Sequence, residues 1–274
     1  MTETTTAPHL AQLDAVLSTL TVGLIMIPRS EWMTCRPSSL ASKVATLNRE
    51  TMFSTLPVLD ESGNRVLGLY DASQWFNGTA PEIPIGDAFQ LLSEDILVAE
   101  DASIFDFLRQ ADSHSTNLVV RSTQIAGLVS LSDIEQLPVR TALFTLINSF
   151  EMAMAALIKS RMERPDAWKP FLAEGRQKLL QDRIVTAKRN DTYADDLLLT
   201  QFCDKHTVIA KGKLLAVPRN ELDERMSRIE RLRNHIAHAN SFGNSPQKAK
   251  KVCAIVRDIY DLKQQILAET AGPI

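Results

Sequence analysis

Arg231, Asn234, His235 and His238 are spaced i, i+3, i+4 and i+7, so a helix would place them on one face. Imidazole titrates near neutral pH, so two histidines beside an amide and a guanidinium could move protons next to an anion. The same residues also suit the last turn of a helix, where cations offset the dipole. Two charges nearby interrupt apolar patterns. Leu222, Met226, Ile229 and Ile236 form a helical stripe, and its missing member is Arg233. Phe144, Ile147, Met154 and Ile158 form another, and its gap is filled by Glu151. A charge buried alone is costly and a paired one is tolerable. The pattern therefore predicts that Glu151 and Arg233 face each other, inside a bundle or at a protomer interface. A third constellation is Gly127-Leu-Val-Ser130-Leu-Ser-Asp133-Ile134, where Ser130 and Asp133 have the spacing of a helix-capping pair.

These residues need elements to hold them. Leu56-Pro-Val-Leu, a turn at Asp60-Glu-Ser-Gly-Asn, and Arg65-Val-Leu-Gly-Leu-Tyr read as a hairpin. Asn117-Leu-Val-Val and Gln124-Ile-Ala-Gly-Leu-Val read as a second. A helical pattern precedes each hairpin (Leu40 to Leu47, Ile104 to Ala111) and a short helix start follows each, at Ala72 and Leu131. Helix-strand-strand-helix thus occurs twice, which marks an internal duplication. After Pro138 the strand signal fades. Helical periodicity then predicts segments from Val139 to Met162, Trp168 to Lys188, Tyr193 to Ile209, Glu221 to Ala237, and Ser245 to Leu267. The expected division is a helical lead-in over 1–21, a repeat pair over 22–137, and a helical bundle over 139–270.

The charge balance separates the two parts. The chain of 274 residues has a net charge of −3. Residues 1–138 hold 7 Lys/Arg and 17 Asp/Glu, and residues 139–274 hold 23 and 16. A polyanion would be drawn to the second part and not to the first. Cys35, Cys203 and Cys253 have no metal-ligand spacing and read as reduced thiols, so no metal site is expected. Met1-Thr-Glu-Thr-Thr-Thr lacks the features of a signal peptide. The apolar stretch Ala142 to Ile158, broken by Asn148 and Glu151, reads as too short to span a bilayer. The expected location is the cytoplasm, with no membrane partner.

Two family resemblances follow from these residues. The duplicated part resembles a tandem pair of cystathionine-β-synthase (CBS) domains, and Gly127 to Ile134 matches that family's G-h-h-[ST]-x-x-D-h segment, h being apolar. The resemblance implies a regulatory adenosine nucleotide (AMP, ADP, ATP or a related ligand). The Asp133 carboxylate would accept from ribose hydroxyls, and Ser130 would lie near sugar and phosphate. The equivalent stretch, Gly68-Leu-Tyr-Asp71-Ala-Ser-Gln74-Trp75, lacks the Ser/Thr and Asp of the pattern, so one competent and one degenerate site are expected. The second part is similar to HEPN domains, helical bundles that are commonly dimeric, through Arg233-Asn234-x-x-x-His238. That likeness implies a metal-independent endoribonuclease, toxin or defence effector. In it His238 would transfer protons, Arg233 stabilise phosphate or orient the site with Glu151, and Asn234 position His238. No cofactor is required for such catalysis. The expected fold is an α/β (α+β) tandem CBS pair followed by an all-α helical bundle. The expected partners are RNA, the nucleotide and a second copy in a homodimer. The alternative is a non-catalytic nucleotide-sensing regulator whose helical part dimerises or binds a partner or RNA.

Overall fold

A computed structural model describes residues 18–162, 164–192 and 195–271. Residues 1–17 of the expected lead-in lie outside the described residues. The described residues divide into two compact units, one of Thr21–Asp133 and one of residues 18–20 together with the part from Ile134 onward.

The first unit contains two small sheets, each built on a hairpin. In the first repeat α1 (Ala41–Leu47) precedes β2 (Thr55–Leu59) and β3 (Val66–Asp71). In the second, β5 (Leu97–Ala99) leads through α2 (Ile104–Gln110) to β6 (Thr116–Arg121) and β7 (Gln124–Ser130). Strands β5 and β6 are parallel, as a helical crossover requires. Both hairpins slip register near the turn, at Val58/Leu59 and at Val119/Val120. Each sheet is completed by a two-residue strand from elsewhere. β1 (Ile27–Pro28) pairs with β7, and β4 (Gln90–Leu91) pairs with β3. This explains the glycines at matching places in the repeats. A Cβ on Gly68 would lie 2.0 Å from the Gln90 carbonyl oxygen, and one on Gly127 would lie 2.8 Å from that of Ile27. Only a residue without Cβ lets the extra strand approach.

The apolar faces of the strands close two cores. Leu56, Val58, Tyr70 and Ile85 form one, packed on Ala41 and Val44 of α1. Val66, Leu69, Ile96, Leu118 and Leu128 form the other, between the two sheets. Thr55 and Thr116, the first residues of the equivalent strands β2 and β6, are hydrogen bonded through their hydroxyls at 2.9 Å. Cys35 is buried in the first core, and burial pushes its thiol up to about 12, so it stays protonated.

The second unit is all helical. It contains α3 (Leu137–Arg161), α4 (Glu174–Arg189), α5 (Phe202–Gly212), α6 (Arg219–Ala237) and α7 (Pro246–Ala271). Helix α3 packs against α5, α6 and α7, with Leu143, Leu146, Phe150, Leu157 and Ile158 fully buried. Pro138 sits in its first turn, where a missing N–H costs nothing. The unit boundary falls before Ile134 and not at Pro138, because Glu135 is tied into the helical part. One Glu135 oxygen, Oε1, accepts from the Ser241 hydroxyl at 2.9 Å and from the N–H groups of Phe242 and Gly243. By length and composition α3 could cross a membrane, unlike the shorter run read from the sequence, and 61% of its most apolar window is buried within the protein.

The expected helix over 193–209 is interrupted. A short 3-10 turn, Asp196–Leu199, ends at Thr200, and α5 begins afresh. The cause is a capping box. The Gln201 side chain accepts from the backbone of Asp204, whose carboxylate takes the Gln201 N–H at 2.9 Å.

Candidate functional site

At the end of β7 the chain turns into a 3-10 segment, Leu131–Glu135. The Ser130 N–H and hydroxyl both donate to Asp133 Oδ2, at 2.7 and 3.0 Å. The Ser130 hydroxyl oxygen in turn accepts from the Ser132 N–H at 3.2 Å. Asp133 is 7% exposed. The pair is therefore a capping arrangement that also fixes the carboxylate against the end of the strand. Gly127 lies three residues back, under β1, where its smallness serves packing.

The first repeat solves the same junction differently. Thr55 pairs in register with Asp71, as Thr116 does with Ser130. Asp71 Oδ1 accepts from the N–H and hydroxyl of Ser73, and Gln74 stands where Asp133 stands in the second repeat. The acid has moved to the strand end and turned inward on its own loop. The repeats share the junction and differ in where the acid stands: exposed at the strand end in the first, buried three residues beyond it in the second.

The Arg233 segment does not form the expected site. Arg233 is half-buried, and among the described residues its guanidinium reaches Asn234 Oδ1 alone, at 3.4 Å. Glu151 is not its partner. Glu151 Oε1 binds Lys205 Nζ at 2.9 Å, and Lys205 also donates to the Thr200 carbonyl at 3.1 Å. Lys205 is 3% exposed, so the buried charge that Glu151 meets comes from α5 and not α6. His238 is exposed and closes α6, its N–H returning to the Asn234 carbonyl. Ala239 follows with a left-handed φ of 54°. Five residues apart, Arg233 and His238 diverge by about 140° around the axis. Arg140 donates to the Ile236 carbonyl in the last turn of α6 at 3.3 Å and to the Asn240 carbonyl beyond it at 2.9 Å, while its guanidinium lies over the Phe242 ring. Glu151, Arg233, Asn234 and His238 are thus a salt-bridged core acid and a capped helix end. This geometry overturns the endoribonuclease expectation. Arg233 and His238 diverge around the helix, and the acid meant to orient the site is engaged by Lys205.

The charge that does enter the α6 stripe is Arg225, which the sequence reading missed. The buried positions are Leu222, Arg225, Met226, Ile229, Leu232 and Ile236. Leu232 takes the place assigned to 233. Arg225 is held by Asp258 at 3.0 Å and Asp261 at 2.5 Å, both on α7, and by Glu221 at 3.3 Å. The signal was available: 225 lies three residues after Leu222 and four before Ile229, and Asp258 and Asp261 lie one turn apart on the last helix. A second missed pair is Arg176 with Asp204, a two-pronged contact at 2.8 and 2.6 Å. Burial alone would raise the Asp204 carboxyl, but the Arg176 fork and the Gln201 N–H outweigh it and hold it below the ordinary carboxylate range. Among the described residues no group of three His, Cys, Asp or Glu is placed to hold a metal ion.

No protein-family model and no curated protein matches the chain. Solved structures do resemble part of it. The CBS domain of a bacterial CNNM/CorC-family Mg2+ transporter in complex with ATP is 21% identical, over 46% of this chain and 91% of that one, with a TM-score of 0.38. CBSX2 in complex with AMP is 20% identical, over 45% and 96%, with a TM-score of 0.35. CBS domains of a transcriptional regulator from Streptococcus pneumoniae are 21% identical, over 42% and 95%, with a TM-score of 0.35.

Proposed function

We propose that the protein is a nucleotide-sensing regulator. Its duplicated unit binds one adenosine nucleotide at the Ser130–Asp133 junction, and its helical unit is the output, which dimerises or binds a partner. The observation that carries the reading is the asymmetry between equivalent junctions. Both repeats hold a carboxylate with the N–H and hydroxyl of a serine, yet in the first the acid is the exposed last residue of the strand, and only in the second does it stand three residues further on, buried in the turn. Capping alone would be served by either solution. A preoriented carboxylate beside helix-start N–H groups matches the paired hydroxyls of a ribose and the charge of a phosphate. A site of this kind binds through groups already in place, which keeps the ordering cost low.

The nucleotides bound in the two similar structures set the first ligands to try. Calorimetric titration of the full chain with AMP, ADP and ATP is expected to give one site per chain. Asp133→Ala is expected to abolish it, and Asp71→Ala to leave it intact. A flat titration with all three ligands, or equal loss in both variants, would sink the reading.

A further inference from the structure

We propose a second ligand site, in the helical unit: the groove between α6 and α7 binds a small polyphosphorylated anion. The groove encloses about 520 Å³, within the range of small-molecule sites. Basic side chains line it from both helices: Arg228, Arg231 and His235 from α6, and Lys248 and Lys251 from α7. On α6 they recur at i, i+3 and i+7, and on α7 at i and i+3, so each set faces one way. Placing like charges on both walls of one groove is unfavourable unless an anion fills it.

The charges are also available. Arg231 and Lys251 are exposed and have no hydrogen-bond or ion-pair partner among the described residues. Lys248 is held only by the amide oxygen of Asn244, at 2.9 Å, which leaves its charge uncompensated. Arg228 marks one end of the cationic stretch, where Asp258 at 2.9 Å and Glu224 at 3.8 Å neutralise it. Its Nε is buried without a hydrogen-bond partner.

The size and lining select the class of anion. From Arg228 to His235 the α6 wall is seven residues long, about 10 Å at the rise of a helix. That length suits a short phosphate chain and ends where the acids begin. A single-stranded nucleic acid needs a longer basic track, with aromatic faces for its bases to stack on. The one aromatic ring in the lining, Phe242, is 6% exposed and covered by the Arg140 guanidinium at 4.9 Å. Leu232 and Val252 close the floor, at 4% and 2% exposed, and the basic side chains stand along the walls above it. A free phosphate chain fits the length and charge of this groove better than a base-bearing strand.

The test is calorimetry on the full chain with inorganic tripolyphosphate, run on wild type, on the double variant Arg231→Gln with Lys251→Gln, and on Asp133→Ala. Both groove side chains are solvent-exposed, and circular dichroism checks that the double variant is folded. The expected result is saturable binding to wild type, at least about tenfold weaker in the double variant, through loss of charge-assisted bonds, and unchanged in Asp133→Ala. The Asp133 arm separates this site from the nucleotide site, so either can fail without the other. Absence of saturable binding, equal affinity in the double variant, or loss in Asp133→Ala would each overturn the proposal. So would a twenty-nucleotide single-stranded RNA that binds far more tightly than tripolyphosphate and depends on Arg231 and Lys251, since the groove would then belong to a nucleic-acid track.

Discussion

The helical unit buries charges in matched sets, and their partners decide what each residue does. Lys205 and Glu151 form the most enclosed of these pairs, at 3% and 18% side-chain exposure. Removing one member leaves the other charge without compensation. Glu151→Ala is therefore expected to cost about 3 kcal/mol in urea unfolding, while Glu151→Leu with Lys205→Met is expected to recover most of that loss. A double variant no better than the single would show that the loss does not come from an uncompensated Lys205 charge. The sequence could show that Glu151 was misplaced on an apolar stripe, but not who would meet it. Periodicity describes one helix at a time, and the partner's register depended on where α5 began. The helix read over 193–209 ran through Thr200 and hid the start set by Gln201 and Asp204. Phe144, which the periodicity places on the stripe, is 45% exposed, because the buried face of α3 is centred on Leu143, Ile147, Phe150 and Met154. On α6 the choice between 232 and 233 was one residue wide, and the apolar Leu232 took the interior. Arg233 was left at its edge, and the charge inside was Arg225.

At the scale of elements the duplication was legible because its causes are local. Two hairpins, each with a turn of small polar residues and a glycine three residues before its final strand residue, can be read without knowing any partner. What could not be read was why Gly68 and Gly127 recur. The reason is a distant two-residue strand crossing above each, β4 over Gly68 and β1 over Gly127. Gly68 is the tighter site, because the atom at 2.0 Å is backbone and cannot rotate away. Gly68→Ala is expected to destabilise the first unit by about 1–3 kcal/mol, through the displacement of β4. Hydrogen exchange reads this directly: the Leu92 amide, bonded to the Leu67 carbonyl at 2.8 Å, should lose protection while the β6–β7 ladder keeps its own. At Gly127 the nearest atom is the flexible sulfur of Met26, with the Ile27 carbonyl next at 2.8 Å. Gly127→Ala should therefore be the milder of the two. Unchanged exchange at Leu92 in Gly68→Ala would show that β4 can move aside at no cost.

Over the whole chain, an acidic duplicated part precedes a basic helical part, and each carries a separate candidate site. Binding to one folded unit stabilises that unit in proportion to the logarithm of ligand over dissociation constant, about 2.7 kcal/mol at a hundredfold excess. The stabilisation appears where the contacts are made. With saturating nucleotide, amide exchange is expected to slow across Thr116–Arg121 and Gln124–Ser130, whose strand ends carry Ser130 and position Asp133. The matching strands Thr55–Leu59 and Val66–Asp71 should change less, since Gln74 replaces the acid there. Asp133→Ala should erase the protection without lowering the exchange barriers of the ligand-free β6–β7 ladder beyond the loss of one cap, about 1 kcal/mol. Mass spectrometry of peptides from both repeats, with and without AMP, measures all of this in one experiment. Equal protection in the two hairpins would mean that Ser130 and Asp133 serve only as a cap and that the nucleotide sits elsewhere. Protection confined to the second hairpin would establish that the duplication kept its backbone in both copies and its ligand chemistry in one.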